Sequence, residues 1–233
     1  MARTCGFSRG MSLPYGRSSV VACQDCTDAY FQATCTVLLW FYSTHFKRQY
    51  ITGNIVVALL TALTIIVLIQ YEPNMHRNLQ SFTFSGALST PEWVLCIYAY
   101  FAFMLTWMRE IVKDMEDHIG DEAAGCVTMP IKRGLGYATR FTIALAILVI
   151  SPIVLVSLLL FRHQYMVPPL YIICALVLPL IVWSVFLYKP AQPDGKFTVQ
   201  HYHKASKGLK AIMITGICSL LIYHFILLTH SAT

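Results

Sequence analysis

Residues 91–125 read PEWVLCIYAYFAFMLTWMREIVKDMEDHIGDEAAG, an apolar run that passes without a break into a charged stretch. The chain has 11 Asp and Glu residues in 233, and 6 of them lie between positions 110 and 122. The apolar part, 92–108, is close to the roughly 17–25 residues that a helix needs to cross about 30 Å of hydrocarbon. The stretch therefore predicts a membrane-spanning helix that carries acidic residues at one end.

The rest of the chain is equally apolar. Its composition is 57% hydrophobic and 12% charged, with a mean hydropathy of +0.60, whereas soluble domains carry about 25% charged residues. Because backbone polar groups in a bilayer must be paired internally, long apolar runs form helices there. We expect an all-α, polytopic transmembrane helical bundle of about six spans, near residues 29–46, 51–70, 92–108, 138–161, 167–188 and 209–229.

Lys and Arg residues fall mainly on one side of this topology. Twelve of the 17 lie between spans one and two, after span three or before span six, whereas 2 lie in the alternate loops and 3 in the N-terminal tail. Because cytoplasmic loops are richer in Lys and Arg, we expect an integral protein of a bacterial inner or cell membrane with its active-site loops in the cytoplasm. The net charge of +6 then reflects orientation in a lipid bilayer, and we expect no nucleic-acid partner.

The acidic residues after span three recur at helical spacing. If the helix continues, positions i, i+4, i+7 and i+11 share one face and are occupied by Glu110, Asp114, Asp117 and Asp121. Their mutual repulsion requires compensation by cations, which Arg109 and Lys113 supply in part. An all-oxygen set favours a hard divalent ion such as Mg²⁺, which takes one or two carboxylates together with waters and substrate phosphates. The alternative is a solvated helix end without a ligand.

Two glycines flank the last of these carboxylates. Gly120 and Gly125 lie on either side of Asp121, and glycine is the usual residue where a helix ends in a left-handed turn. The pattern predicts that the helix opens into a tight loop at this point, where the backbone can approach an anionic ligand.

Two motifs resemble those of a known family. The run REIVKDMEDHIGD at 109–121, continuing to Gly125, Thr128 and Pro130, is similar to the second aspartate-rich motif of the UbiA-type intramembrane prenyltransferases. Within that family it most resembles enzymes of the digeranylgeranylglyceryl phosphate synthase type. The run FYSTHFKR at 41–48, followed by GNIVVA at 53–58, resembles a second segment of the same family. The resemblance indicates a UbiA-like domain over residues 36–233, after an atypical N-terminal segment, 1–35.

The resemblance implies a transfer reaction and the residues that carry it. A Mg²⁺-dependent enzyme of this family moves an isoprenyl group from an isoprenyl diphosphate to a lipophilic acceptor, either a lipid or an aromatic compound. By this comparison the catalytic and metal-binding residues are Asp114, Asp117 and Asp121. The predicted substrate contacts are Arg109, Lys113, Lys47, Arg48 and Asn54.

The chain departs from the family pattern upstream. The family has nine spans and a first aspartate-rich motif before the segments found here, so we expect this chain to be N-terminally truncated and of doubtful activity. The alternative hypotheses are a non-catalytic membrane subunit or remnant and, with less support, a divalent-cation transporter. A transporter would favour acids at the middle of a span, whereas these lie at its end.

Two further patterns received structural interpretations. The HYH sequence at 201–203 stands beside Lys204 and Lys207 and is interpreted as a solvated basic loop. Aromatic residues near span ends are interpreted as anchors at the membrane interface, namely Trp93, Trp107 and Tyr188.

Overall fold

The computed structural model describes residues 15–44, 50–71, 91–162, 167–188 and 195–231. In these ranges the protein is helical, with no strand, so the predicted all-α bundle is confirmed. Its helices are α1 (Tyr15–Thr44), α2 (Thr52–Tyr71), α3 (Pro91–Ala123), α4 (Met129–Arg133), α5 (Leu135–Arg162), α6 (Val167–Ile172), a π-helical turn (Ile173–Val177), α7 (Leu178–Tyr188) and α8 (Gly195–Ser231).

Helices lie on all six apolar runs identified in the sequence. Within the described ranges, three segments are long and apolar enough to cross a membrane, namely Val94–Ala123, Leu135–Leu159 and Leu170–Tyr188. A shorter apolar helix covers Thr52–Leu68. Large apolar side chains such as Ile147, Leu158 and Val182 are more than half exposed on these helices, as expected for surfaces that face lipid. The protein is therefore an integral membrane protein.

Helix α3 is the centre of the bundle. It packs most extensively against α2 and also against α8 and α5, whereas α1 packs only against α2 among the described helices. Four residues at i, i+3, i+4 and i+7 form one fully buried face of α3, Met108, Ile111, Val112 and Met115. This spacing is the pattern of a core-facing helical stripe. The buried face and the acidic face are therefore different sides of one helix.

Two of the spans contain a proline, which lacks the N–H that would pair with the backbone carbonyl four residues earlier. A side-chain hydroxyl of a neighbouring helix donates to each of these two carbonyls. Pro152 lies within α5 and has no N–H to donate to the carbonyl of Leu148. The Tyr100 hydroxyl of α3 donates to that carbonyl at 3.1 Å. The Ser151 hydroxyl of α5 donates to the same carbonyl at the longer distance of 3.5 Å. Since carbonyls must be paired in a membrane, the shorter bond from Tyr100 joins α3 to α5 where Pro152 removes a backbone donor.

The π-helical turn shows the same arrangement. Pro179 cannot donate to the carbonyl of Ala175, and the Thr215 hydroxyl of α8 lies 3.3 Å from that oxygen, while also lying 2.8 Å from the carbonyl of Ile212 in its own helix. The Tyr171 hydroxyl donates to the carbonyl of Thr215 at 3.1 Å. Thr215 of α8 therefore contacts both the π-helical turn, at Ala175, and the preceding helix α6, at Tyr171.

A first prediction concerns the hydrogen bond at Pro152. Tyr100→Phe is expected to lower the free energy of unfolding in detergent by about 0.5–1.5 kcal/mol, the net value of one hydrogen bond. The cost should fall when Pro152→Ala is also present, because the substituted alanine donates its own N–H to the carbonyl of Leu148. Equal costs in both backgrounds, measured by a double-mutant cycle, would contradict this account.

Candidate functional site

The acidic residues lie on a continuous helix. Helix α3 has 33 residues, which at 1.5 Å per residue is about 50 Å, longer than the hydrocarbon layer of about 30 Å. The apolar run ends at Met108, so the charged part extends beyond it. The side chain of Asp117 is exposed, and those of Asp114 and Asp121 are half-buried. Helical geometry thus gathers the predicted carboxylates on one face.

Electrostatic repulsion links the carboxylates of this face. The negative charges of Asp121, Glu110 and Asp117 all act on the Asp114 carboxylate. Asp121 experiences repulsion from Asp117 and attraction from Lys113. The four acids and Lys113 are therefore close enough to affect one another's charge.

Asn54 provides the contact between this face and another helix. Its side-chain amide, in the first turn of α2, donates to Oδ2 of Asp114 at 2.7 Å. The two residues are 60 positions apart, yet both were named from sequence as site residues. Since α2 packs extensively along α3, this hydrogen bond orients the Asp114 carboxylate from a neighbouring helix.

The predicted basic contacts have different surroundings. The Arg109 guanidinium pairs with the Glu110 carboxylate at 2.8 Å, so it is partly neutralised by its neighbour. Lys113 has an exposed side chain and acts on Asp121. Lys47 and Arg48 lie outside the described residues.

The donors on this face suit a hard divalent cation only in combination with further oxygen ligands. Within the described ranges, no three His, Cys, Asp or Glu residues converge closely enough to hold a metal ion. Mg²⁺ is usually bound through one or two carboxylates plus waters and substrate phosphates. Asp117 and Asp121, one turn apart with Asp117 exposed to solvent, fit that requirement. The metal-binding roles of Asp114, Asp117 and Asp121 remain predictions.

The end of α3 is a Schellman motif. The N–H of Gly125 donates to the carbonyl of Glu122 at 3.1 Å, and the N–H of Cys126 donates to that of Asp121 at 2.9 Å. Gly125 adopts a φ of 69°, which favours glycine. Gly120 and Asp121 both lie inside the helix, so the expectation that the helix opens into a tight loop at Asp121 was wrong. The loop begins only after Ala123.

A second prediction tests this helix end. Gly125→Ala is expected to lower the free energy of unfolding by about 1 kcal/mol, because a Cβ is unfavourable at positive φ. Gly120→Ala is the matched control, since a Cβ there meets no atom within 4 Å and alanine favours the helix by up to about 1 kcal/mol. Thermal unfolding that shows the same sign for both variants would contradict the assigned helix end.

The HYH sequence was misinterpreted as a solvated loop. Residues 201–203 lie on α8, and His201 is buried with its ring stacked on Phe186 at 4.4 Å between centroids. Burial lowers the pKa of His201, a backbone hydrogen bond to Leu187 opposes that effect, and Lys204 adds to it. His203 Nδ1 lies 2.5 Å from Oε1 of Glu116 on α3. The two histidines, His201 and His203, thus contact different neighbouring helices, α7 and α3.

The signal that identifies this helix is present in the sequence. Buried residues recur at helical spacing through the charged segment, Tyr202, Ala205, Leu209 and Ile212, while the lysines fall on the opposite, exposed side. The density of charge in the segment hides this helical period, because charged segments before apolar runs are commonly loops.

The ring of Trp107 is packed inside the bundle, unlike that of an anchor at the membrane interface. Its ring contacts Phe103 at 5.8 Å and Phe141 at 5.7 Å between centroids, and its Nε1 atom is buried without a hydrogen-bond partner. The neighbouring Thr106 is 4% exposed, and its hydroxyl oxygen also has no partner. By contrast, Tyr188 is 69% exposed, which fits the anchor that the sequence predicts.

Comparisons with known proteins agree with the resemblance noted in the sequence. The chain is 28% identical over 185 residues to the digeranylgeranylglyceryl phosphate synthase of Methanosphaera stadtmanae, which covers 79% of this chain and 58% of that protein. The enzymes of the same name from Methanobrevibacter smithii and Metallosphaera sedula are 30% identical over 179 residues and 34% identical over 137 residues. These alignments cover 76% and 55% of this chain.

The chain spans about half the length of these curated relatives, since the last two alignments cover 54% and 42% of the respective proteins. No solved structure gives a significant match. The family described as the UbiA prenyltransferase family matches residues 20–205, a range that contains both α2 with Asn54 and the whole acidic face of α3. On this match the chain belongs to the UbiA prenyltransferase family.

Proposed function

We propose that this chain carries out Mg²⁺-dependent transfer of an isoprenyl group from an isoprenyl diphosphate to a lipophilic acceptor. Family membership supports the reaction class. The observation that carries the proposal is the acidic face of α3, whose carboxylates interact with one another and are held to α2 through Asn54. A face of this kind at the end of an apolar helix suits a ligand with a charged head and an apolar tail.

The residues have distinct parts in this proposal. Asp117 and Asp121 are the carboxylates that hold the cation, which when bound neutralises charge on the diphosphate as a Lewis acid. Asp114 is oriented by Asn54 and keeps the face in place. Lys113 offers an exposed ammonium to the diphosphate oxygens. Arg109, Lys47 and Arg48 are further proposed contacts to the same group.

The apolar part of the bundle would accommodate the isoprenyl chain. During transfer the bond between C1 and the diphosphate oxygen breaks, a new bond forms from C1 to the acceptor, and the acceptor releases a proton. An allylic cation develops at C1, and the surrounding apolar side chains protect it from water. Stabilisation of the departing diphosphate by fixed charges is the main contribution of the protein.

The relatives' names favour one acceptor class. Each of the three proteins is named digeranylgeranylglyceryl phosphate synthase, so we propose a prenylated glyceryl phosphate as acceptor. We also propose that the charged end of α3 faces the cytoplasm, because the loops on that side carry most of the Lys and Arg residues.

A non-catalytic membrane protein of the family is the second candidate. The observation that favours it is that the carboxylates proposed to hold the cation all lie on a single helix, α3. The length of the alignments, about half of each relative, makes the activity of the whole relatives a proposal for this chain.

Binding and turnover of the purified chain distinguish the two candidates. In detergent or lipid nanodiscs, Mg²⁺ with pyrophosphate is expected to raise the unfolding temperature, and EDTA is expected to reverse the shift, because ligands that bind the folded state stabilise it. Transfer of a radiolabelled isoprenyl group to a glyceryl phosphate lipid would establish the enzyme. Binding without transfer would favour the non-catalytic candidate, and neither would refute the proposed function.

A further inference from the structure

Helices α3 and α8 pack side by side, and two contacts fix their register. Near the charged end of α3, His203 Nδ1 lies 2.5 Å from Oε1 of Glu116. Toward the other end of α3, the hydroxyl groups of Tyr98 and Ser219 are hydrogen-bonded to each other. Residue numbers fall along α3 as they rise along α8 between these contacts. The two helices are therefore antiparallel over this length.

A pair of basic residues lies between these two contacts. Arg109 stands seven residues before Glu116 on α3, and Lys210 stands seven residues after His203 on α8. Seven residues are two helical turns, about 10 Å, and return to within about 20° of the same side of a helix. Arg109 and Lys210 are therefore at the same level, on the sides where α3 and α8 meet.

This level is also where the apolar segments of both helices begin. No charged residue lies between Glu92 and Arg109 on α3, and no Asp, Glu, Lys or Arg follows Lys210 in the chain. Lys207, one turn before Lys210, has an exposed side chain, as Lys210 does. Since the headgroups of a bilayer lie directly outside its hydrocarbon, the two lysines lie at the level of the lipid phosphates.

The charges around Lys207 and Lys210 do not balance. Two acids of the neighbouring helix α3, Glu110 and Glu116, are each paired with another basic residue. In the part of the chain that the structure describes, no carboxylate pairs with either lysine. Arg109, level with Lys210, adds a further positive charge. An anion is therefore attracted to this position.

The same side of α8 continues into the membrane as an apolar stripe. Ile214, Ile217 and Leu221 are 61%, 65% and 71% exposed. Together with Lys207 and Lys210 they lie within about 80° of one another around the helix axis. The lysines thus stand at the head of a surface that faces lipid, where the available anions are lipid headgroups.

We propose that Lys207 and Lys210 bind the phosphate of an anionic membrane lipid, whose chains lie along the exposed aliphatic side chains of α8. The lysines match the charge of the phosphate, and the stripe below them matches the apolar chains. The headgroup is then held at the junction of α3 and α8. This site is separate from the metal-binding pair of the proposed function, which lies on another side of α3.

Titration of the delipidated protein in detergent tests this site. Dioleoyl phosphatidylglycerol is expected to raise the unfolding temperature and to stay bound in native mass spectrometry, more strongly than the zwitterionic dioleoyl phosphatidylcholine. Lys207→Gln/Lys210→Gln is expected to weaken binding of phosphatidylglycerol by about 25-fold, about fivefold for each lysine. Binding of phosphatidylcholine should change little. Both substitutions are at exposed positions, so the unfolding temperature without lipid should stay near the wild-type value.

Lys204→Gln is the matched control. Lys204 is exposed on the same helix, and its substitution changes the net charge by the same amount. It lies about 120° from Lys210 around the axis and about 9 Å further from the apolar segment, so lipid binding should stay near the wild-type value. If Lys204→Gln weakens binding as much as Lys210→Gln does, the attraction is a diffuse effect of net charge and the inference is overturned.

The remaining outcomes separate this inference from the proposed function. Wild-type protein that binds both lipids equally well would overturn the lipid site. So would a double variant that keeps its response to phosphatidylglycerol and loses its response to Mg²⁺ with pyrophosphate, because the lysines would then belong to the diphosphate site. A preference for phosphatidylglycerol that depends on the two lysines supports the lipid site even where Mg²⁺ and pyrophosphate produce no shift.

Discussion

Asp117→Asn is expected to abolish most Mg²⁺-dependent prenyl transfer, with a loss in rate of about a hundredfold or more, the effect of removing one preorganised electrostatic group. Asp117 is an exposed carboxylate on the acidic face, and it repels both Asp114 and Asp121. Asparagine keeps the size of the side chain and removes the charge. The repulsion within the face should fall, so the unfolding temperature without ligand should be unchanged or higher.

Measurements of stability and binding together make this prediction specific. The shift in unfolding temperature caused by Mg²⁺ and pyrophosphate should disappear in Asp117→Asn and in Asp121→Asn. Glu122→Gln is the control, because Glu122 is exposed near the end of the same helix but lies about 80° from Asp114 around its axis. If Glu122→Gln reduces the shift as strongly as Asp117→Asn does, the site is a diffuse acidic surface and the assignment of a specific pair is refuted.

Asn54→Leu is expected to lower the free energy of unfolding by about 1–3 kcal/mol, the cost of leaving the partly buried Asp114 acceptor without its partner. The amide of Asn54 donates to Asp114 at 2.7 Å, and the same carboxylate is repelled by three other acids. Without the amide, Asp114 is expected to move toward water and to disturb the packing of α2 on α3. Unfolding in detergent measures this cost.

A second substitution separates stability from binding. In the double variant Asn54→Leu/Asp114→Leu both polar groups are absent, and apolar partners of suitable shape can be nearly neutral in stability. Stability should therefore recover relative to Asn54→Leu, whereas the response to Mg²⁺ and pyrophosphate should stay reduced. Recovery of both properties would show that Asp114 has no part in the site, and failure to recover stability would show that the Asn54 contact is not the cause.

The sequence was sufficient for those features that depend on neighbours along one helix. The acidic face follows from the spacing of Glu110, Asp114, Asp117 and Asp121, because 3.6 residues per turn places them together whatever packs around them. The helices themselves follow from apolar runs that have no other stable form in a bilayer. The membrane bundle and the family were accordingly predicted correctly.

Features that depend on contacts between helices could not be predicted from the sequence in the same way. The sequence indicated that Asn54 and Asp114 belong to one site, but not that they are hydrogen-bonded to each other across 60 residues. The burial of His201 against Phe186 and the donation from Tyr100 to the carbonyl of Leu148 likewise depend on which faces meet. Local composition is the same whether such a side chain faces lipid, water or another helix.

Helix α3 runs without interruption from the apolar span to the acidic residues. One continuous helix carries the ring contact between Phe103 and Trp107, then the carboxylates, and it ends only at the turn formed by Gly125. The angle about the helix axis between the residues packed in the span and the acidic residues is therefore fixed. Inserting a single residue at the junction would turn the acidic residues by about 100° relative to the span. The register of this segment, as much as the identity of its residues, is then what the protein must preserve.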